Sequence, residues 1–459
     1  MPHEIGRGKS HGPCGGRGAQ ENQYLRPVNP NPPRTPDVPA VQRTVAYPNT
    51  VAGVYEVLER SFGGVHYVHT VLDQVLRANK KWGARDRAFV AEHAYEMVRH
   101  WRKLWALDAW LQGDKPLKAE PSLKRKDIKR LFWVYWLVIR GEELPPWVEH
   151  GLVLEEGARD AALAAASAWP LEWSASYAPW FVERVTAEVG EAKWSKLAVA
   201  LNAPTSVILR VNTLRATREE VQQHLLTEGI HAEISDVADT ALRVVGRPNL
   251  MKTASFLRGE FEVQDGGSQL IASFLHAKPG MKILDACSGA GGKTLQLAAE
   301  AGNTAEIIAM DVEPFKLKEL EKRAERAGVR CIRTAPIKTA RDVQRLSEWA
   351  DALLLDVPCS GTGVIRRDVD TKWKLKPEHL ERTLDTQAQI LRTYPDALKV
   401  GGTLVYATCS ILPSENERQI ERFLAEFPGK FTLIEQKTID PYHPDSDGYF
   451  VAVLEKVKA

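Results

Sequence analysis

Lys282-Ile-Leu-Asp-Ala-Cys-Ser-Gly-Ala-Gly-Gly-Lys-Thr294 reads as a strand, a glycine-rich turn and the start of a helix. Glycines after a strand let a ligand approach the backbone, and the new helix offers it unpaired N–H groups. Outward from this stretch, apolar strand candidates recur at Ile307 to Met310, Val329 to Ile332, Ala352 to Leu355, Thr403 to Tyr406 and Phe450 to Leu454, with helical patterns between them. Alternation of that kind predicts an α/β doubly wound, Rossmann-like domain over residues 261–459, with its ligand site at the carboxyl ends of the strands.

The loop excludes two common ligands. A Walker A loop requires Gly where Cys287 stands, and a dinucleotide fingerprint on Gly289 and Gly291 requires Gly where Thr294 stands. What remains is an acid four residues before a GxG, Asp285 with Gly289 and Gly291, which resembles the cofactor loop of S-adenosylmethionine (AdoMet) methyltransferases. Asp285, Cys287, Ser288, Gly289, Ala290, Gly291, Gly292 and Lys293 are therefore the cofactor-binding candidates. Asp311 ends the next strand, where a carboxylate accepts both ribose hydroxyls. A helix N-cap ahead of Pro314 is the competing reading of Asp311. Two further strands end in Asp356-Val-Pro-Cys359-Ser-Gly and Ala407-Thr-Cys409-Ser, which places an acid and two thiols at the same sheet edge. One such cysteine is ordinarily an inert core thiol, but two at equivalent strand ends beside a ligand loop point to thiolate chemistry.

Upstream the chain changes character. Residues 1–49 are rich in Pro and Gly and read as a disordered extension. Residues 50–150 carry helical spacing (Val51, Val54, Tyr55, Leu58; Val68, Val71, Leu72, Val75, Leu76; Phe89, Val90, Met97) and predict an all-helical domain, with Asp86 as a helix cap. Residues 151–200 read as a helical linker and 201–260 as a small α+β module. With 44% apolar and 26% charged residues and a net charge of +2 over 459 residues, any nucleic-acid surface must come from local clusters. One basic and aromatic run is Arg99, His100, Trp101, Arg102 and Lys103. The other is Lys115, Lys118, Lys124, Arg125, Lys126, Lys129 and Arg130, read either as a solvated helix face or as an RNA contact. Five scattered cysteines without CxxC spacing argue against disulfides and metal and for a reducing cytoplasm. The longest apolar run, Leu131 to Ile139, is about half the length that spans a bilayer, so no membrane is expected.

ILDACSGAGGKT (283–294), LLLDVPCSGTGVIRR (353–367) and LVYATCSILPSENE (404–417) resemble the motifs of the Sun (Fmu, RsmB-type) family of RNA cytosine-C5 methyltransferases. LRVNTLR (209–215), QDGGSQL (264–270) and DGYFVAVLEK (447–456) match too, and NKKWGARDRAFV (79–90) lies in a segment similar to the family's NusB-like RNA-binding domain. The resemblance implies an enzyme that methylates RNA, 16S ribosomal RNA above all, with AdoMet as cofactor, no metal and a monomeric form. A transfer-RNA methyltransferase and a non-catalytic RNA-binding assembly factor are the rivals. It also implies roles: Cys409 as nucleophile on cytosine carbon 6, Asp356 at the base's N3 and amino group and also among the cofactor-binding residues, Cys359 in loss of the carbon-5 proton and release, and Lys293 in orienting cofactor and base. Three departures stand out. Ala290 replaces the usual Pro, the third strand is followed by Thr334 and Ala335 instead of an acid, and only Arg366, Arg367, Asp370 and Trp373 survive of the run after PCS, where Arg366 and Arg367 are expected to contact RNA or to form a surface salt-bridge loop.

Overall fold

The computed structural model describes residues 45–64, 66–114, 124–148 and 152–458, and these fall in one compact unit. The extension read over residues 1–49 lies almost wholly outside them, as do Lys115 and Lys118. The first described region is helical, as its 3.6-residue spacing predicts: Pro48–Phe62, Val68–Ala78, Ala84–Arg99, Trp101–Leu111 and Arg125–Val134, the last running into a π-helical turn at Tyr135–Ile139. The apolar positions picked out by spacing form its core, with Leu76 half-buried at the margin. The Leu131 to Ile139 run is not a truncated span but the centre of that core, where Phe132 and Trp136 stack. Asp86 is not the cap itself; Gly83 is, and Asp86 sits at the third helical position and accepts the Gly83 N–H at 2.9 Å.

Residues 158–200 do more than link. The helix Ala158–Ser167 packs Ala162 and Ala166 into the helical core, while Leu171–Ser174, Pro179–Val189, Glu191–Ala200 and the turn at Tyr177 bury Tyr177, Phe181 and Trp194 against Ile365, Ile411 and Leu412, directly behind the two cysteine motifs. Four strands follow, β1 (Val207–Val211), β2 (Ala232–Ile234), β3 (Ala241–Val244) and β4 (Phe261–Val263), in the antiparallel order β2-β3-β1-β4. β4, read from the sequence as the start of the catalytic domain, belongs to this smaller sheet because it pairs with β1, Arg210 opposite Glu262.

The large sheet comprises β5 (Lys282–Asp285), β6 (Glu306–Asp311), β7 (Ile332–Pro336), β8 (Ala350–Asp356), β9 (Leu398–Thr408), β10 (Phe431–Ile439) and β11 (Tyr449–Lys456), in the order β10-β11-β9-β8-β5-β6-β7. Five strands are parallel; β10 and β11 run antiparallel at one side. Period-2 alternation supplies both faces: Ile283, Ile307 and Val405 enter one core layer, and Leu284, Ile308 and Leu404 the other. β10 escaped the sequence reading because its residues are largely half-exposed and polar (FTLIEQKTI), the composition of an edge strand.

The segment after PCS holds these parts together. Lys372 is 3% exposed, and its Nζ donates to Arg99 O (2.9 Å), Ala175 O (3.0 Å) and Asn202 Oδ1 (2.5 Å) while lying 4.1 Å from the Tyr177 ring. Asp370 accepts the Val68 N–H at 2.7 Å, and Trp373 Nε1 donates to Val98 O at 2.9 Å. Burial depresses the Lys372 pKa well below the usual lysine value, so the three acceptors are what keep its ammonium tolerable. Lys372→Met strands all three and should cost about 3 kcal/mol, read as an earlier first unfolding transition in urea; an unchanged transition would show that the junction does not depend on this amine.

Candidate active site

The carboxyl ends of β5, β8 and β9 lie side by side, and the ladder sets their heights: Asp285 stands opposite Leu354 and Asp356 opposite Ala407. Beyond those ends the chain turns out of the sheet and delivers the ligand loop, Cys359 and Cys409 to one place. The two sulfurs are 3.1 Å apart, both thiols are free, and the Cys409 N–H points at Cys359 Sγ at 3.3 Å. Beside them Lys293 Nζ donates to Asp356 Oδ2 at 2.7 Å, which joins the first helical turn after the glycine loop to the strand that carries PCS. The Lys293 ammonium also faces the Tyr449 ring at 6.0 Å.

Two sulfurs this close cannot both carry charge in a half-buried setting, so the pair holds at least one proton. The hydrogen bond with Cys409, and then burial, push the Cys359 thiol well above the ordinary cysteine value. The Asp356 carboxylate pulls the Lys293 pKa up against the desolvation that opposes it, so the ion pair persists under a largely closed surface.

The glycine loop is held by backbone geometry. Gly291 has φ +83°, and a Cβ there would strike Leu320 at 2.0 Å, so only glycine permits the turn; Gly289 (φ +55°) faces open space. Asp311, 8% exposed, accepts Gly289 N–H at 2.8 Å and Glu313 N–H at 2.9 Å, and so ties the loop to β6. Glu313 is the N-cap of the helix Pro314–Ala327, which removes the capping role from Asp311. Ser288 Oγ is buried without a protein partner, and Asp285 Oδ1 has no side-chain donor. Such groups fit a ligand that brings its own N–H and O–H donors, as the amino-acid end and ribose of AdoMet do. Cys287 packs against the core beneath the loop, and burial beside Asp285 raises its thiol well above the usual value, so it offers backbone and not a thiolate.

Other sequence candidates are placed differently. Arg366, only 2% exposed, turns its guanidinium onto Asp447 and Ser446 O; Arg367 binds Asp447 (2.5 Å), Asp265 (2.7 Å) and Ser206 O (3.0 Å). The Arg366 donors are spent inward on Asp447 and neighbouring carbonyls, which does not fit a surface loop, whereas Arg367, its side chain 31% exposed, has its donors taken by Asp447, Asp265 and Ser206 O. In the run at 99–103, Arg99 and Arg102 are also buried, Arg99 against Glu96 and the Arg366 carbonyl and Arg102 over the Trp173 ring at 4.2 Å. Of the second basic cluster, Arg125 pairs with Glu59 (2.8 Å) and Arg130 with Asp108 (2.5 Å), which leaves Lys124, Lys126 and Lys129 as its exposed cations without an ion pair among the described residues. Asp342, downstream of the third strand, sits at the third position of the helix Ala340–Gln344 and accepts the N–H of its N-cap, Thr339, at 2.9 Å. No trio of metal-ligating side chains occurs among the described residues, and no helix among them is long and apolar enough to cross a membrane.

Sequence reasoning missed the residues that brace the loop from behind. Buried Arg210 donates to Gln264 Oε1 (2.5 Å) and to Gly292 O, and Arg323 bonds Ala290 O (2.6 Å) and Glu262 (3.0 Å). The loop uses the carbonyl of Ala290 and not its side chain, so the departure from Pro leaves this contact intact. LRVNTLR and QDGGSQL were noticed as phrases; their work as a buttress, through Arg210 and Gln264, shows only in three dimensions.

Residues 272–455 match the family described as 16S rRNA methyltransferase RsmB/F, and residues 177–250 match the RsmF/B-like ferredoxin-like domain. The chain is 30% identical over 429 residues to the probable ribosomal RNA small subunit methyltransferase B of Synechocystis, covering 85% of this chain and 95% of that one. It is 34% identical to ribosomal RNA small subunit methyltransferase B of Pasteurella multocida, covering 62% of this chain and 66% of the relative. The crystal structure of PH0851 superposes with a TM-score of 0.71 at 23% identity over 90% of this chain and all of that one, a likeness of fold.

Burial, aided by the charge of Asp356 and opposed by Thr294 and Lys293, raises Asp285 to about 7 from its ordinary 3.8. A raised folded-state pKa gives stability that is full below about pH 4 and lost as pH climbs through about 7. Asp285→Asn should therefore melt higher than the parent at pH 8 and level with it near pH 4. Thermal melts at the two pH values check this, and a gap that is the same at both refutes the assignment.

Proposed function

Because the chain belongs to the RsmB/F family of 16S ribosomal RNA methyltransferases, we propose that it methylates carbon 5 of a cytosine in small-subunit ribosomal RNA through a covalent cysteine adduct, with AdoMet as cofactor. The observation that carries this reading is the pair of free thiols 3.1 Å apart beside the Lys293–Asp356 ion pair. An exocyclic-nitrogen methyltransferase needs no thiol at all. Carbon 5 of cytosine, by contrast, becomes nucleophilic only after a nucleophile adds at carbon 6.

Cys409, as thiolate, forms the bond to carbon 6, and the displaced π electrons move into the ring toward N3. Asp356, anchored by Lys293, accepts from the exocyclic amino group of the base, and the Lys293 ammonium beside it offsets the charge that moves toward N3. Asp285, the loop 287–293 and Asp311 would hold AdoMet, which when bound would supply the electrophilic methyl group. Once Cys409 is a neutral thioether, the hydrogen bond that contributed most to raising Cys359 is gone, although burial remains; its thiol gives a proton to solvent and becomes a base. Cys359 then takes the carbon-5 proton, the C5–C6 double bond reforms, and Cys409 leaves as thiolate. One proton is released per turnover, as the overall substitution of methyl for hydrogen requires. The exposed apolar side chains of Val312 and Phe315 follow Asp311 and offer an adenine surface where the usual acid is missing.

The helical domain is the RNA-binding part in this reading, NusB-like in role, and the target cytosine leaves any stack to reach the thiols. Charge removal at Lys124, Lys126 and Lys129 should flatten the salt dependence of RNA affinity, each lost contact lowering the slope by roughly 0.7 to 0.9, whereas an unaltered slope makes the cluster a solvated face. For the chemistry, Cys409→Ala should abolish both turnover and any covalent protein–RNA species. Cys359→Ala should still attack and then stall, giving a shifted band with labelled RNA on a denaturing gel. The reverse pattern makes Cys359 the nucleophile, and activity without a band in both variants sinks the covalent route.

A further inference from the structure

Glu415, six residues after Cys409, has no part in the scheme above, yet it is fully buried between the two cysteine motifs. Its Oε1 accepts the Ser360 N–H at 2.7 Å and Gln387 Nε2 at 3.0 Å; its Oε2 accepts Ser360 Oγ at 2.5 Å and Ser410 Oγ. One carboxylate thus holds the residue that follows Cys359 and the residue that follows Cys409. It touches neither sulfur, so it cannot exchange protons with them directly.

The grip is unequal. Ser360 gives Glu415 both its N–H and its hydroxyl, and Gln387, itself bound to Glu415, donates to Pro358 O at 2.9 Å, so Cys359 is clamped from both sides through this one group. Cys409 has other supports. Thr408 pairs with Phe450 in the sheet, Gly363 N–H donates to Cys409 O at 2.8 Å, and Asn416 Nδ2 donates to Ser410 O at 2.9 Å. Without the carboxylate, the PCS turn loses its main anchor while the TCS turn keeps most of its own.

We propose that Glu415 is a positioning residue for the release half of the cycle, holding Cys359 where it can take the carbon-5 proton and leaving the attack by Cys409 unaffected. The inference rests on the covalent function proposed above. It makes Glu415 a determinant of adduct lifetime and not of affinity for RNA or cofactor.

The test uses the full chain with labelled RNA and AdoMet, comparing Glu415→Ala, Glu415→Gln and Cys359→Ala on one denaturing gel, with turnover and RNA KM measured alongside. Glu415→Ala should lower kcat about 10- to 100-fold, the scale of a misplaced proton-transfer group, hold KM within about twofold, and accumulate the shifted covalent band. Glu415→Gln keeps an acceptor for Ser360 N–H and can donate to the two hydroxyls, so it should recover most of the turnover with a fainter band. Should Glu415→Ala fail to fold by its melting curve, Ser360→Ala is read instead and should show a weaker band of the same kind. Loss of turnover and band together in folded Glu415→Ala, or unchanged kcat, overturns the proposal while the Cys359→Ala lane still shows its adduct. Absence of a band for Cys359→Ala itself overturns the covalent reading, and the positioning role with it.

Discussion

The parallel register of β5, β8 and β9 is the constraint on which the site depends. Strands about 4.8 Å apart bring three carboxyl ends within side-chain reach, and the ladder fixes which residue leaves the sheet at each end. With Asp356 opposite Ala407, Cys359 and Cys409 emerge three and two residues later and meet. A slip of one residue in either strand would turn each of its side chains to the opposite face and exchange the two core layers. The apolar alternation of Leu353, Leu354 and Leu355 against Leu404, Val405 and Tyr406, buried on both faces, makes that slip prohibitively costly.

Around this edge the chain buries several charges. Arg366 and Arg367 share Asp447, and Arg367 also binds Asp265; Arg323 and Arg326 share Glu262; Lys372 is held by three neutral oxygens. A buried pair contributes little net stability over an apolar replacement, but removing one partner leaves an uncompensated charge, so these contacts act as geometric locks. Each lock joins a different part of the molecule to the active edge: the small sheet through Glu262, the helical bundle through Lys372 and Asp370, and the start of β11 through Asp447. The loops that carry reacting groups are thereby set on supports from outside the sheet, which suits chemistry that needs two sulfurs and a carboxylate placed together before substrate arrives.

The segment 366–374 shows how a sequence pattern misleads when its partners are distant. Arg366 and Arg367 read in sequence as part of a loop that meets RNA, but their donors and the Lys372 amine are claimed by acceptors within the protein, and Lys374 reaches back to His66 O. The carboxylates and carbonyls that claim them lie 81 residues away for Asp447 and 273 for Arg99. Nothing in local composition distinguishes an arginine so claimed from a free one.

What the sequence determined by itself is what local chemistry carries: the glycine turn after β5, the acids that end β5, β6 and β8, the two cysteine motifs, the helical spacing from Val51 to Met97 and the apolar strands. Each is written in runs of fewer than about twenty residues, over which period and turn geometry leave few alternatives. Tertiary structure alone decided that β4 joins the smaller sheet, that β10 forms a polar edge, that the 171–200 helices back the cysteine loops, that Arg366 and Arg367 are struts, and that Glu415 binds both Ser360 and Ser410. Those outcomes hinge on which distant donor and acceptor meet in a low-dielectric interior, where an unpaired group is too costly to leave, and one chain read in order does not record such meetings.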